Sequence, residues 1–180
     1  FSTGNLSQTG NPFDLALGDG GFFIVEDIDG VEHYTRDGRF TVNVEGDLVN
    51  ASGMLLSPGI SIPEEAAGVS ITQDGTVIAT YEGSTDETIL GTIRVANFTN
   101  PNGLEAIGGN LYLPTPASGD PREMYPEDNL QIHQGFIEGS NVDVAEELVD
   151  MIVAQRAFEL TSKVVQTADE TLQVVTNLKR

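Results

Sequence analysis

The sequence predicts a mainly β protein with one long C-terminal α-helix: an antiparallel β body over residues 1–139 and an amphipathic helix over residues 140–180. Three observations carry this. Short apolar runs alternate with Gly, Pro, Asp and Asn turn signals through residue 139. Residues 140–180 contain neither glycine nor proline. In that last segment apolar residues recur every seven positions.

The elements follow in order. Gly21-Phe22-Phe23-Ile24-Val25 reads as a strand, Asp29-Gly30 as a turn and Val31 to Thr35 as the returning strand. Asp37-Gly38 is expected to turn the chain again. Arg39-Phe40-Thr41-Val42-Asn43-Val44 alternates polar and apolar residues, the pattern of a half-buried strand. Glu45-Gly46, Ser52-Gly53, Pro58-Gly59 and Asp74-Gly75 are further turns, with a short strand at Leu48-Val49 and longer ones at 75–81 and 88–98. The Asp-Gly pairs have a mechanism, because glycine reaches positive φ and tight hairpins require it. About ten short strands result, the spacing of an antiparallel all-β body. Between Asn97 and Asp128, proline and the run Asn100-Pro101-Asn102-Gly103 argue for loops, with a short helical turn at 103–107.

The helix has its own start signals. Ser140 with Asp143 makes an acidic capping box, with Asn141 as the alternative cap, and Glu146 and Glu147 complement the N-terminal dipole. Lys179 and Arg180 complement the other end. Val144, Met151, Phe158, Val165 and Leu172 fall seven apart; Ala154, Ala168 and Val175 repeat three positions on, with Thr161 the exception. Arg156, Lys163, Glu170 and Asn177 take the opposite face. About 38 helical residues span about 57 Å at 1.5 Å each. A body of this size has a radius of gyration of about 14 Å and cannot cover such a stripe. No second helix of matching length exists in the sequence, so the stripe calls for a helix from elsewhere. The expected packing face is Val144, Leu148, Met151, Phe158, Val165, Leu172 and Val175. Gln155 and Arg156 are the candidate intersubunit polar contacts, since arginine forms directional paired hydrogen bonds.

Composition removes several function classes. The chain has 28 acidic and eight basic residues, a formal net charge of −20. Only −3 of this belongs to residues 140–180, and −17 to residues 1–139. Such a body repels nucleic acid and anionic lipid, whose binding needs clustered Lys or Arg. Cysteine is absent, which excludes disulfides, thiolate zinc sites and a cysteine nucleophile. No apolar run of about 18 residues spans a membrane. Asp27-Ile28-Asp29-Gly30 is a hairpin turn lacking the remaining ligands of a calcium loop. His33 and His133 have no neighbouring ligand set, and no Gly-x-Ser-x-Gly elbow occurs. Glu64-Glu65 and Asp86-Glu87 are carboxylate neighbours of the kind that so acidic a composition produces. No catalytic residue, cofactor, metal or small-molecule substrate is expected.

The residues also carry a resemblance. Ser140-Asn141-Val142-Asp143-Val144, Glu146-Glu147-Leu148-Val149-Asp150-Met151-Ile152, Gln155-Arg156-Ala157-Phe158-Glu159 and Ser162-Lys163 strongly resemble the C-terminal helix of the flagellar basal-body rod and hook family. Gln8-Thr9-Gly10-Asn11-Pro12, Asp14-Leu15-Ala16, Gly21-Phe22-Phe23 and Tyr34-Thr35-Arg36-Asp37-Gly38-Arg39-Phe40 are similar to the segment that follows that family's N-terminal helix. Asn100-Pro101, Gly103-Leu104 and Gly109-Asn110-Leu111-Tyr112 fit too. The Gln-Arg-Ala-Phe-Glu and Ser-Lys wording is most similar to the distal-rod branch. Leu17-Gly18-Asp19-Gly20-Gly21 departs from the usual glycine-rich approach to Phe-Phe, and the family's N-terminal helix has no counterpart here. The resemblance implies a truncated chain whose missing helix pairs with α-helical residues 144–172 in a coiled coil on assembly.

It further implies a structural subunit that leaves the bacterial cell through the flagellar export apparatus without a cleaved signal. Copies assemble helically into a hollow shaft, helices inside and β domains outside. The implied partners are copies of itself, other rod and hook proteins, and the surrounding P-ring and L-ring. The implied place is the basal-body rod spanning the periplasm, where it transmits torque to the hook. The alternatives are another rod or hook family member, a monomeric ligand-binding or adhesive β module on a helical stalk, and an acidic hydrolase. The long capped helix argues against the stalk and the poor catalytic inventory against the hydrolase.

Overall fold

A computed structural model describes residues 3–18, 20–83, 87–128, 130–141 and 144–178; of residues 144, 145, 169 and 171–178 it describes the backbone only. The chain divides into two compact units, Phe1–Asn141 and Val142–Arg180. In the first, every strand pairing among the described residues is antiparallel. The second holds the helix α1 (Val144–Leu178), 35 residues long. Mainly β with one C-terminal helix is thus the observed class. The capping box falls on Asp143, outside the described residues.

Sixteen strands are described, against about ten expected. They are β1 (Leu6–Gln8), β2 (Leu15–Leu17), β3 (Phe22–Glu26), β4 (Glu32–Thr35), β5 (Thr41–Val42), β6 (Leu48–Val49), β7 (Leu55–Leu56) and β8 (Ala66–Ile71). Then come β9 (Thr76–Tyr81), β10 (Glu87–Thr92), β11 (Val95–Asn97), β12 (Glu105–Gly108), β13 (Leu111–Leu113), β14 (Arg122–Met124), β15 (Ile132–Gln134) and β16 (Phe136–Glu138). The main sheet runs β12-β13-β4-β3-β7-β6-β5, with β11 joining β3 to β14. A second sheet runs β10-β9-β8, and two ribbons pair β15 with β2 and β1 with β16.

One turn recurs four times. At Asp27–Val31, Asn43–Asp47, Asn50–Met54 and Thr72–Thr76, the first residue's N–H donates to the carbonyl of the fifth, at 2.9–3.2 Å. The fourth residue is glycine with φ between +77° and +92° and donates back to the first carbonyl. The first side chain accepts the N–H of the fifth residue at 2.8–3.1 Å. This is the three-residue hairpin whose last loop position needs left-handed backbone. The Asp27 turn is the expected hairpin turn, with Oδ1 accepting the N–H groups of Asp29 and Val31. Those bonds also hold the Asp27 carboxyl below the usual carboxylate range.

The run Phe22-Phe23-Ile24-Val25 is continuously apolar because both faces of β3 are covered. Phe23 and Val25 enter one core with Leu15, Phe40, Leu48, Leu56, Val77 and Ile132. Phe22 and Ile24 enter a second core with Tyr34, Ala96 and Phe98. Aromatic rings meet edge to face in both, Phe23 on Phe40 at 5.4 Å and Tyr34 on Phe98 at 4.9 Å.

Several expectations need correction. The expected strand over 39–44 is reduced to an isolated bridge of Arg39 with Asp14 and the pairing of Thr41–Val42, because Asn43 opens the next hairpin. The strand over 88–98 is two strands, interrupted at Ile93-Arg94, where Arg94 exchanges backbone bonds with Ile24 and Ser57. The expected loop and helical turn near 103–107 give way to a 3-10 turn at Pro101–Gly103 and the hairpin β12–β13. Propensity misled there: Gly109-Asn110 supplies a hairpin tip, with Asn110 at φ +61°. Asp37-Gly38 forms no tight hairpin. Its glycine serves close approach, since a Cβ at Gly38 would lie 1.6 Å from the Leu15 carbonyl oxygen.

Candidate assembly surface

Helix α1 presents its expected packing residues to solvent. Leu148 is 51% exposed, Met151 56%, Phe158 78% and Val165 55%. Val144, Leu172 and Val175 lie on the helix backbone, and their side chains are outside the described residues. Gln155 and Arg156 are exposed. Thr161, the polar interruption in the stripe, donates its hydroxyl to the Ala157 carbonyl at 2.8 Å, so the helix satisfies it internally. Leu160, Lys163, Val164, Thr167 and Ala168 line a shallow depression of about 380 Å³.

The apolar surface is wider than the seven-residue pattern indicated. Val149, Ile152, Val153 and Leu160 are also more than half exposed. At about 100° per residue, residues 148, 149, 151, 152 and 153 cover an arc of about 200°. The signal was present in the sequence as the run Glu147-Leu148-Val149-Asp150-Met151-Ile152-Val153, but a strict heptad reading discards the flanks.

The body contributes a clasp that no local pattern announces. Strand β16, the last before α1, pairs with β1 in the register Leu6↔Glu138, Ser7↔Ile137, Gln8↔Phe136. Glu138 Oε1 accepts the Gly4 N–H at 2.8 Å. Its Oε2 accepts Nε and Nη2 of Arg36 at 3.0 and 2.7 Å, while Nη1 of Arg36 donates to the Gly21 carbonyl at 2.8 Å. These side chains are 19% and 13% exposed, so the pair is largely shielded. A Cβ at Gly4 would lie 2.0 Å from the Gly139 carbonyl oxygen, which fixes the closeness of the two strands.

A second hub surrounds Arg94. It meets Glu123 at 2.8 Å, Glu32 at 2.9 Å and Ser57 Oγ at 3.0 Å. Hydrogen bonding to Glu123, with Glu32 adding to it against partial burial, raises the arginine further above its already high value. Tyr34 donates to the other oxygen of Glu32 at 3.2 Å. Burial, reinforced by the Glu32 charge, pushes the Tyr34 hydroxyl up to about 12. His33 Nδ1 lies 3.0 Å from the Val31 carbonyl, and His133 packs its ring 6.1 Å from Phe136. Among the described residues, every buried side-chain nitrogen and oxygen has a partner, and no group of three His, Asp or Glu could hold a metal ion.

Comparison with known proteins matches both units. Residues 133–178 match the family model described as flagellar basal body rod FlgEFG protein C-terminal. Residues 16–79 match that of the flagellar hook protein FlgE/F/G D1 domain. The flagellar basal-body rod protein FlgG of Agrobacterium fabrum is 44% identical over 179 residues, covering 98% of this chain and 68% of that protein. FlgG of Buchnera aphidicola subsp. Acyrthosiphon pisum is 44% identical over 177 residues, covering 97% and 68%. With nearly the whole chain aligned at this identity, the protein belongs to the flagellar basal-body rod family, of the distal-rod FlgG type.

Proposed function

We propose that this chain works by polymerising, as a structural subunit of the flagellar distal rod, and performs no chemistry. The observation that carries the reading is the bare apolar arc of α1. A helix that is apolar around more than half its circumference is stable only when neighbours cover it on more than one side. Helices of adjoining subunits, paired in coiled coils, supply that cover, with Val144, Leu148, Met151, Phe158, Val165, Leu172 and Val175 as the seam. Gln155 and Arg156 make the polar contacts at its border. Residues 140–180 form the inner layer of the shaft and residues 1–139 its outer wall.

The β1–β16 register supports a further point. The start of β1 lies beside the end of β16, so a helix joined ahead of β1 would leave the body next to the chain leading into α1. Such a helix is the natural first partner for the seam. The other partners in this reading are further copies of the chain, other rod and hook proteins, the P-ring and L-ring, and the export apparatus. The assembled rod spans the periplasm and transmits torque to the hook.

Phe158→Asp in the full-length protein tests the reading. Phe158 lies on the helix and is 78% exposed, so its replacement should change the unfolding free energy of the β body by no more than about 0.5 kcal/mol. Burying its ring between helices is worth about 1.5–3 kcal/mol per subunit, and burying a carboxylate in its place costs more. Polymer measured by sedimentation, and swimming in soft agar, should both be lost. Normal polymer and motility would refute the seam.

A further inference from the structure

We propose that the Arg39 guanidinium is an intersubunit anchor of the β body, docking on a carboxylate-bearing surface of a second copy of this chain. The inference rests on the assembly reading above and adds a contact outside the helix. Residues 1–139 carry a charge of −17 with four arginines and no lysine. Three of the four are committed internally: Arg36 to Glu138, Arg94 to Glu32 and Glu123, Arg122 to Asp128. Arg39 is exposed, and its guanidinium meets no partner among the described residues.

Its backbone is held while its side chain is free. On one side Gly38 is buried against the Leu15 carbonyl. On the other, Phe40 is 1% exposed, and its N–H donates to the Phe13 carbonyl at 3.3 Å. The Arg39 N–H donates to Asp37 Oδ1 at 3.2 Å. Two buried anchors thus fix the backbone of the segment, so that docking has only the exposed side chain left to order. The following strand β5 is the edge of the main sheet, and beyond Phe40 the chain presents Val42 at 37% and Val44 at 103% exposure. A segment at a sheet edge that carries a cation and a fully exposed apolar side chain, Val44, has the makings of an interface: a directional charge and area to bury.

Charge complementarity selects the occupant. Two bodies of this charge repel wherever their surfaces meet at random. Exposed carboxylates such as Glu64, Glu65, Glu82 and Asp120 enter no ion pair among the described residues. An uncommitted arginine is the group on the body that can turn contact with that surface into attraction and set its register.

The test uses the full-length protein. R39K introduces a primary amine, which a carbodiimide couples to a carboxylate in direct contact. Polymer grown from an equal mixture of isotope-labelled and unlabelled R39K chains is treated, digested and read by mass spectrometry. The proposal expects mixed-label cross-links through position 39 in polymer and none in dispersed chain. It also expects R39E to raise the critical concentration for assembly at least tenfold with an unchanged melting temperature. Coupling only within one chain, no coupling in polymer, or R39E assembly at the parental concentration would overturn the anchor while leaving helix-driven assembly intact. Failure of the unsubstituted full-length protein to polymerise would overturn the assembly reading, and the anchor with it.

Discussion

Replacing Glu138 with Gln separates a structural clasp from a decorative ion pair. The carboxylate holds three donors at once: Gly4 N–H at 2.8 Å on one oxygen, and two Arg36 nitrogens at 3.0 and 2.7 Å on the other. Exposed ion pairs contribute about 0–1 kcal/mol, whereas breaking a fully buried one costs about 3–5 kcal/mol. At 19% and 13% exposure the Arg36–Glu138 pair lies between these limits, nearer the buried one. Hydrogen bonds to charged groups contribute about 1.5–3 kcal/mol each, and the amide of Gln can keep some of them. The expected cost is therefore about 2–3 kcal/mol. Urea unfolding of the full chain should show it, with a coupling of at least about 1 kcal/mol in the cycle with Arg36→Met. If the ribbon frays before the body unfolds, the same energy appears as roughly 30–150-fold faster amide exchange at Ser7 and Thr9, the residues in hydrogen-bonding register with Ile137 and Gly135. A coupling below about 0.5 kcal/mol together with unchanged exchange would refute the clasp.

Two further outcomes follow from single contacts. Gly38→Ala should destabilise the body by about 3 kcal/mol or more, because its Cβ would lie 1.6 Å from the Leu15 carbonyl oxygen and rupture the 2.9 Å Leu15–Gly38 backbone bond; a melting temperature within 2 °C of the parent, roughly the measurement's margin, would contradict that geometry. Tyr34 is expected to make stability fall as pH rises from about 10, its ordinary value, toward about 12. The folded state there retains a proton that the unfolded chain has lost, so Tyr34→Phe should flatten that alkaline limb in pH-dependent denaturation.

The sequence made the helix and most hairpin tips legible, since each is a local code. A heptad or an Asn-x-x-Gly turn is complete within seven residues, and four of the turns obey one hydrogen-bonding rule. The apolar run at Phe22–Val25 also marked a strand, though not that its two faces feed two cores. The two-residue strand β6 was legible between its turns, but other short strands stayed hidden because their pairing partners are remote: β1 with β16 and β2 with β15. The same holds for the sites. Arg36 and Glu138 stand 102 positions apart, and nothing about either residue alone distinguishes it from a solvated charge. Arg39 became conspicuous only once the other body arginines were seen to be occupied. The failed loop assignment at 105–113 has the opposite cause. Glycine and asparagine there are turn residues, and a hairpin needs them at its tip as much as a loop does.

The placement of the clasp matters for a subunit that carries load. The polypeptide connects α1 to the body through β16, so force entering the helix reaches the sheets along that strand. Three residue pairs with β1 would be a weak joint by themselves, since an isolated two-stranded ribbon is marginal in water. Glu138 ends β16 and ties it to Arg36, which is anchored in turn on the Gly21 carbonyl beside β3. Gln134, at the end of β15, donates to the carbonyls of Pro12 and Val69 and accepts the Ile71 N–H at 2.9–3.0 Å, binding the second sheet to the same region. Under the assembly reading, a β body serves as a rigid wall only if the exit strand cannot peel away. The side chains that prevent peeling are polar and long-range, because the strand itself is too short to hold by backbone pairing.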